Sequence, residues 1–469
     1  MMLLLAFQSA GAQAAPLIHD LFGVSVDRAG DLDGDGCEDI WVGDPSMPTW
    51  TDDSKGMAWA VSSKTGRSLL GIDSPQGARE FGSVVCGIGD VDGDGKRDVA
   101  VVAPRIALSS SQNEALPRSE ASRRDAQGAV FVHSSASGKL LWVRRGAADK
   151  TKVPWFTFGH GPSLACVGDW NSDGVDDVAI GWSLASGDKP HSGSVEVVSG
   201  KDGSLLHSWP GKEANDRLGF ALVALSDLDG DGKRDLGASA IPDFADAPAD
   251  NNLGQIRPGY VLILSSKGGE LRTLRGLDGC RRFGLSIAEI GDQNQDGVVD
   301  LVVGQPFFSD QPPRLSLVSG KDGSMLRVLS PPSIEEWDRG KSQSMLHPPP
   351  PSVRESFGAR VLAVRDFDGD GCIDVLVTMP DTFCLQPAAI LSSRSGGVLV
   401  RIAPQDPKLE FSHIGIGACC LSDLDGDAVP DFALSGSSMR SGDCDGAVVL
   451  CSGKTGDTLQ VIGRTNLRR

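Results

Sequence analysis

Seven acidic nine-residue loops recur along the chain, and their oxygen atoms are spaced for a hard cation. The first reads Asp31-Leu32-Asp33-Gly34-Asp35-Gly36-Cys37-Glu38-Asp39, and the others begin at Asp90, Asp169, Asp227, Asp292, Asp366 and Asp423. Positions 1, 3, 5 and 9 carry the oxygens, and a glycine at position 6 lets the chain curl back on itself. A calcium ion takes six to eight oxygen ligands, so this set of side chains points to Ca2+. The candidate ligands are Asp31, Asp33, Asp35 and Asp39; Asp90, Asp92, Asp94 and Asp98; Asp169, Asn171, Asp173 and Asp177; and Asp227, Asp229, Asp231 and Asp235. They continue with Asp292, Asn294, Asp296 and Asp300; Asp366, Asp368, Asp370 and Asp374; and Asp423, Asp425, Asp427 and Asp431. Up to seven structural Ca2+ ions are expected.

An EF-hand opens the same way but needs a bidentate Glu at position 12 and flanking helices. Position 12 here is Val42, Val101, Ile180, Ala238, Val303, Val377 or Leu434, apolar every time. The run after each loop, such as Asp98-Val99-Ala100-Val101-Val102-Ala103-Pro104, is a short β-branched stretch stopped by a breaker, which predicts a buried strand.

The elements that must hold these loops repeat as well. A Phe-Gly or Leu-Gly pair precedes each loop at Phe22, Phe81, Phe158, Leu218, Phe283 and Phe357, with Phe411-Ser412 as a degenerate seventh. The order is strand A, acidic loop, strand B, strand C, a Gly-bearing turn such as Lys201-Asp202-Gly203, and strand D. First aspartates recur every 57 to 79 residues. Seven four-stranded units predict an all-β fold, a seven-bladed β-propeller of antiparallel blades with the calcium loops between strands A and B. The expected blades are 20–80, 81–157, 158–217, 218–282, 283–356, 357–410 and 411–465, within one domain spanning 20–465. Blade 7 supplies its own strand D around Thr458–Ile462, so the ring can close without borrowing an N-terminal strand.

The formal charge of -18 is mostly ligand inventory. Twenty-six of the 62 acidic residues sit at the ligand positions, leaving 36 against 44 Lys and Arg, and seven divalent ions would bring the total to -4. Residues 1–14 read as a signal peptide: an apolar start runs into Ala12-Gln13-Ala14, although a basic first segment is lacking. A secreted, periplasmic or cell-surface location is expected, with no membrane span and no nucleic-acid partner. Ten cysteines form no zinc or disulfide-scaffold pattern, and a Cys444–Cys451 pair is one candidate bridge.

Phe-Gly, then Asp-x-Asp-Gly-Asp-Gly-x-x-Asp, then a strand ending Gly-x-Pro or Ala-Pro, resembles the FG-GAP repeat, the blade unit of the integrin α-subunit head. The resemblance covers roughly residues 20–465 and implies a propeller with calcium at the loop residues named above. It also implies an adhesion-like, non-catalytic module for a protein or glycan ligand. Departures are Asn171 and Asn294 at position 3, Ser172 and Gln295 at position 4, and Ala428 at position 6, where positive φ penalises any side chain.

The B–C and D–A connections emerge on the face opposite the loops. The long ones, 45–56, 105–127, 242–258 and 330–356, carry aromatic and Arg residues, the usual anchors of recognition. Trp50, Arg105, Trp155, Phe156 and Trp337 are the candidate binding face. No H-E-x-x-H, G-x-S-x-G or P-loop occurs. A calcium-dependent polysaccharide lyase is the enzyme alternative, on fold analogy. A quinoprotein oxidoreductase is a second, because Ser137–Trp142 and adjacent Cys419-Cys420 resemble parts of that family.

Overall fold

The computed structural model describes residues 21–45, 56–106, 128–146, 162–242, 257–276, 282–306, 312–332, 356–380, 387–403, 412–438, 446–464 and 467. Seven four-stranded antiparallel sheets are arranged as a ring, a seven-bladed β-propeller. Strands A to D of blade 1 are Val26–Gly30, Asp39–Asp44, Met57–Val61 and Ser68–Asp73; those of blade 2 are Val85–Gly87, Val99–Ala103, Ala129–His133 and Leu140–Arg145. Blade 3 has Ser163–Gly168, Asp177–Trp182, Ser194–Val198 and Leu205–Pro210, and blade 4 has Leu218–Leu225, Asp235–Ala240, Tyr260–Leu264 and Glu270–Arg275. Blade 5 comprises Ser286–Glu289, Leu301–Gln305, Arg314–Val318 and Met325–Leu329. Blade 6 comprises Val361–Ala363, Val375–Thr378, Ala388–Leu391 and Val398–Ile402, and blade 7 Ser412–Cys420, Phe432–Ser438, Ala447–Cys451 and Thr458–Gly463. Among the described residues no helix is long and apolar enough to cross a membrane.

Burial explains the sequence of each strand. The A strands of successive blades contact one another around the ring. Strand B lies between neighbours on both faces, and all its residues are buried in blades 1 to 6, which is why it reads as a mostly apolar or small-residue run without polar alternation. Strand D is the outer edge and alternates, as in Leu205–Pro210. The core is divided among the junctions. In blade 1, Trp41 packs toward blade 2 with Phe81 and Val101, whereas Ile40 and Val42 pack toward blade 7 with Val448 and Ile462. The period-2 alternation of a strand thus sends successive side chains to opposite neighbours.

The Phe-Gly pair is a junction device. Phe22, Phe81, Phe283 and Phe357 are fully buried, and the glycine after each has positive φ. The glycine backbone lies against strand B of the preceding blade: a Cβ on Gly43 would collide with the Gly82 carbonyl, and one on Gly304 with the Gly358 carbonyl. At these two junctions a pair of glycines therefore lets two main chains touch, whereas Gly284 faces Ser239 and Gly23 faces Ala447. In blade 7 the structure corrects the expected mark. Phe411 lies outside the described residues and Ser412 opens strand A, whereas the positive-φ glycine is Gly415 (φ 98), preceded by buried Ile414. Ile414 stands nine residues before Asp423, the spacing in every other blade except blade 3, so the apolar type has changed while the position is kept.

Each strand D also reaches over the C–D turn of the next blade. Trp142 Nε1 donates to Gly200 O at 2.7 Å, and Trp209 Nε1 to Gly268 O at 3.1 Å. Leu70, Leu274 and Leu329 lie over Gly138, Gly323 and Gly396, and Gln460 of blade 7 over Gly66 of blade 1. Trp142 and Trp209 are thus pegs between blades. Cys419 and Cys420 are free thiols on strand A of blade 7, and Cys451 is a free buried thiol on its strand C. The Cys444–Cys451 bridge is therefore not formed; Cys444 lies outside the described residues.

Blade 7 contributes all four of its strands, as expected, and the ring is closed by side chains. Phe22 enters the core shared with blade 7. Buried Asp44 accepts from Arg464 Nε at 3.0 Å, and the Glu38 amide donates to Ser422 Oγ at 3.3 Å.

Candidate metal centres

The seven acidic loops share one backbone frame, and the first aspartate builds it. Asp31 Oδ1 accepts the amides of Gly34 and Asp35 at 2.7 and 3.1 Å, and Oδ2 accepts Gly36 at 3.0 Å. Asp90, Asp227, Asp366 and Asp423 repeat the pattern, down to the Ala428 amide on Asp423 Oδ2 at 2.7 Å. Positions 4 and 6 both take positive φ. Glycine meets that demand at most of them, but Ser172 (φ 63), Gln295 (φ 61) and Ala428 (φ 66) adopt it with a side chain.

The last aspartate ties the loop to the blade. Asp39, Asp98, Asp177, Asp235, Asp300, Asp374 and Asp431 are all fully buried. One oxygen of each accepts the position-2 amide, as Leu32 to Asp39 at 2.8 Å. In six blades the other oxygen accepts an amide of the C–D turn, as Ser135 to Asp98 at 2.9 Å and Gly320 to Asp300 at 3.0 Å. The A–B loops and C–D turns thus share one face. Blade 4 departs: its turn is shorter, and Asp235 Oδ1 is buried with no hydrogen-bond partner.

These carboxylates fit a cation. Oxygens of Asp31, Asp33 and Asp39 lie within 4.8 Å of one another, as do those of Asp227, Asp229 and Asp235, Asp366, Asp368 and Asp374, and Asp423, Asp425 and Asp431. In blade 2 the grouped residues are Asp90, Asp92 and Asp94. Oxygens ligating one ion at 2.3–2.6 Å are separated by no more than about 5 Å, so the groups match an all-oxygen site in size and chemistry. The orphaned Asp235 oxygen is a further sign, since a buried unpaired acceptor is costly unless something fills it. Burial pushes the carboxyls of Asp39, Asp98 and Asp235 up to about 6, and raises those of Asp177, Asp300, Asp374 and Asp431. The position-6 amide holds exposed Asp31 and Asp227 and half-buried Asp366 and Asp423 below the usual range. The two ends of a loop thus differ in readiness to shed a proton.

Asn171 and Asn294 point their carbonyl oxygens at the position-5 amide, as Asp33 does at its place. Sequence reasoning missed one participant. The basic residue of the C–D turn, read only as turn chemistry, leans over its own loop: Lys64 Nζ reaches Asp35 O at 3.2 Å, and Lys267 Nζ lies 3.4 Å from Asp229 Oδ2. Its recurrence as Lys or Arg before the turn glycine was the available signal. Of the candidate binding face, Trp50, Trp155, Phe156 and Trp337 lie outside the described residues. Arg105 belongs to a small ribbon, Arg105–Ile106 paired with Ala78–Arg79, which joins a B–C to a D–A connection.

No protein-family model matches the chain. Integrin alpha-V of Gallus gallus is 28% identical over 212 residues, 45% of this chain and 19% of that protein. Integrin alpha-5 of Xenopus laevis is 29% identical over 217 residues, again 45% and 19%. Integrin alpha-PS2 of Drosophila melanogaster is 31% identical over 221 residues, 45% of this chain and 14% of that protein. The chain therefore spans about a fifth or less of the length of these curated relatives. Among solved structures, the Dos1 propeller has a TM-score of 0.47 at 12% identity, over 96% of this chain and 85% of that one. Rhamnogalacturonan lyase YesW has a TM-score of 0.40 at 12% identity, over 90% and 73%. The chain is a seven-bladed propeller that is similar over nearly half of its length to integrin α subunits and resembles their N-terminal β-propeller.

Proposed function

We propose that this chain is a calcium-binding extracellular propeller that acts as a non-catalytic module for a protein or glycan ligand. The observation that carries the calcium reading is one loop frame built seven times, with grouped carboxylate oxygens and a buried orphan at Asp235. The ions are structural. Each would neutralise carboxylates whose mutual repulsion otherwise opposes the fold, and would bind the folded state alone, because only there are the ligands assembled. The similarity to integrin α subunits supports the adhesion-like reading. So does the layout: the metal loops lie at one end of the ring, which leaves the B–C and D–A connections at the other for recognition.

Two measurements test this. Thermal unfolding in millimolar Ca2+ and after chelation should differ by many degrees, whereas superimposable curves would sink the calcium reading. A glycan array and a panel of extracellular-matrix proteins, probed in calcium with the folded chain, should show binding that Arg105→Ala or alanine at Trp155 or Trp337 weakens. Binding that those three substitutions leave intact would place recognition elsewhere.

A further inference from the structure

We infer that the basic residue of the C–D turn is a tethered competitor for the ion of its own loop, and that blade 2, which lacks one, holds the tightest site of the ring. The inference rests on the calcium reading above. In blade 4, Lys267 Nζ stands 3.4 Å from Asp229 Oδ2 and 3.7 Å from Asp231 Oδ2. Lys64 and Lys454 approach the position-5 carboxylates Asp35 and Asp427 at 3.9 and 4.0 Å. Arg394 lies 4.0 Å from Asp370 Oδ2 and donates to its main-chain oxygen at 3.1 Å. Blade 2 has exposed Ala136 at this place.

The carboxylates respond as a competitor requires. In blades 1, 4, 6 and 7, each with a basic turn residue, the grouped oxygens come from positions 1, 3 and 9. In blade 2 they come from positions 1, 3 and 5, so Asp94, with no cation beside it, joins Asp90 and Asp92. Neighbours sharpen the contrast. Position 8 of the following blade stands beside the residue before several loops: Arg97 beside Gly30, Arg234 beside Gly168 and Ile373 beside Gly291, but Asp176 beside Gly89 and Glu38 beside Ser422. The cleft of about 460 Å3 between loops 2 and 3 is lined by Asp90, Asp92 and Asp176.

That these groups receive an ion is indicated independently by Asp235 Oδ1, a fully buried acceptor without a partner in the very cluster over which Lys267 stands. An ammonium at such range repels an entering divalent ion and occupies a carboxylate the ion needs. Because the lysine is exposed and partly screened, the penalty is on the order of tenfold in affinity rather than the much larger effect of a buried charge. Among the five all-aspartate loops, blade 2 therefore fills first and blade 4 last.

Calorimetric titration of the calcium-stripped full chain with CaCl2 tests this, using Ala136→Lys, Ala136→Gln and Lys267→Ala. Both positions are exposed turns, so the variants fold. Ala136→Lys should weaken the tightest class of sites about tenfold and Ala136→Gln should leave it alone, while Lys267→Ala should strengthen one of the weaker sites. High salt should shrink both differences. If calcium binds but Lys and Gln at 136 act alike, or the Lys267→Ala isotherm matches wild type, the competitor inference is overturned and the calcium reading stands. If the wild type takes up no calcium in the millimolar range, the calcium reading fails and this inference with it.

Discussion

Ala428 is where one residue works against its own loop. It holds φ 66 at a position filled by glycine in the other six loops. A left-handed alanine costs about 1–2 kcal/mol, and glycine would return roughly 0.5–1 of that as unfolded-chain entropy. Ala428→Gly should therefore raise stability by about 0.5–1 kcal/mol in a denaturant titration; no gain would mean that the strain is relieved elsewhere. The buried position-9 carboxyls predict a pH effect. In calcium-free protein Asp39, Asp98 and Asp235 titrate at about 6, above their unfolded value. Their contribution is present at low pH and lost as pH rises through about 6. The lowered position-1 carboxyls act only below their unfolded value of 3.8 and do not interfere above pH 5. Calcium needs all of these groups ionised, so protons compete with it. The gap in melting temperature between calcium-loaded and calcium-free protein should narrow from pH 7 to pH 5, and a gap that widens would contradict the sign of the shifts.

At the scale of the strand, the tryptophan pegs give the clearest test. Trp142→Ala removes a buried indole and its bond to Gly200, at a cost of about 3–5 kcal/mol, whereas Trp142→Phe forfeits mainly the hydrogen bond, about 1 kcal/mol. Equal losses from the two substitutions would mean that packing contributes little. Much of this level was legible in the chain. Strands, loop frames and turn glycines announced themselves because each repeats the same demand, positive φ at the turn and two buried faces on strand B. What stayed hidden depends on register between blades. Trp142 suggests a cofactor motif in sequence because sequence shows a tryptophan but not the carbonyl one blade away. Lys267 was read as turn chemistry because its partners lie about 36 residues earlier. The aromatic type points to Phe411-Ser412 in blade 7, whereas the spacing to Asp423 identifies Ile414-Gly415.

For the whole molecule, closure rests on a seam of side chains. Asp44 is 2% exposed and is held by Arg464, so Arg464→Ala would leave a buried carboxylate without its main charged partner and should cost about 3 kcal/mol. A double-mutant cycle with Asp44→Asn checks the origin of the loss: the combined variant should be much less unstable than the two single losses summed. The other junctions carry the same packing, pegs and paired backbones, but their neighbours are also joined by chain. Blades 1 and 7 are the first and last in the chain and, among the described residues, share no sheet.

This seam also sets an order of events during synthesis. The pocket that receives Phe22 is made partly by Val448, Leu450 and Ile462, some 400 residues later. While the ribosome is still translating, the earlier blades can stack pairwise, but blade 1 must wait with one apolar flank exposed until blade 7 emerges. That interval is the time at which a nascent chain of this design is most open to chaperones and to association with a second copy of itself.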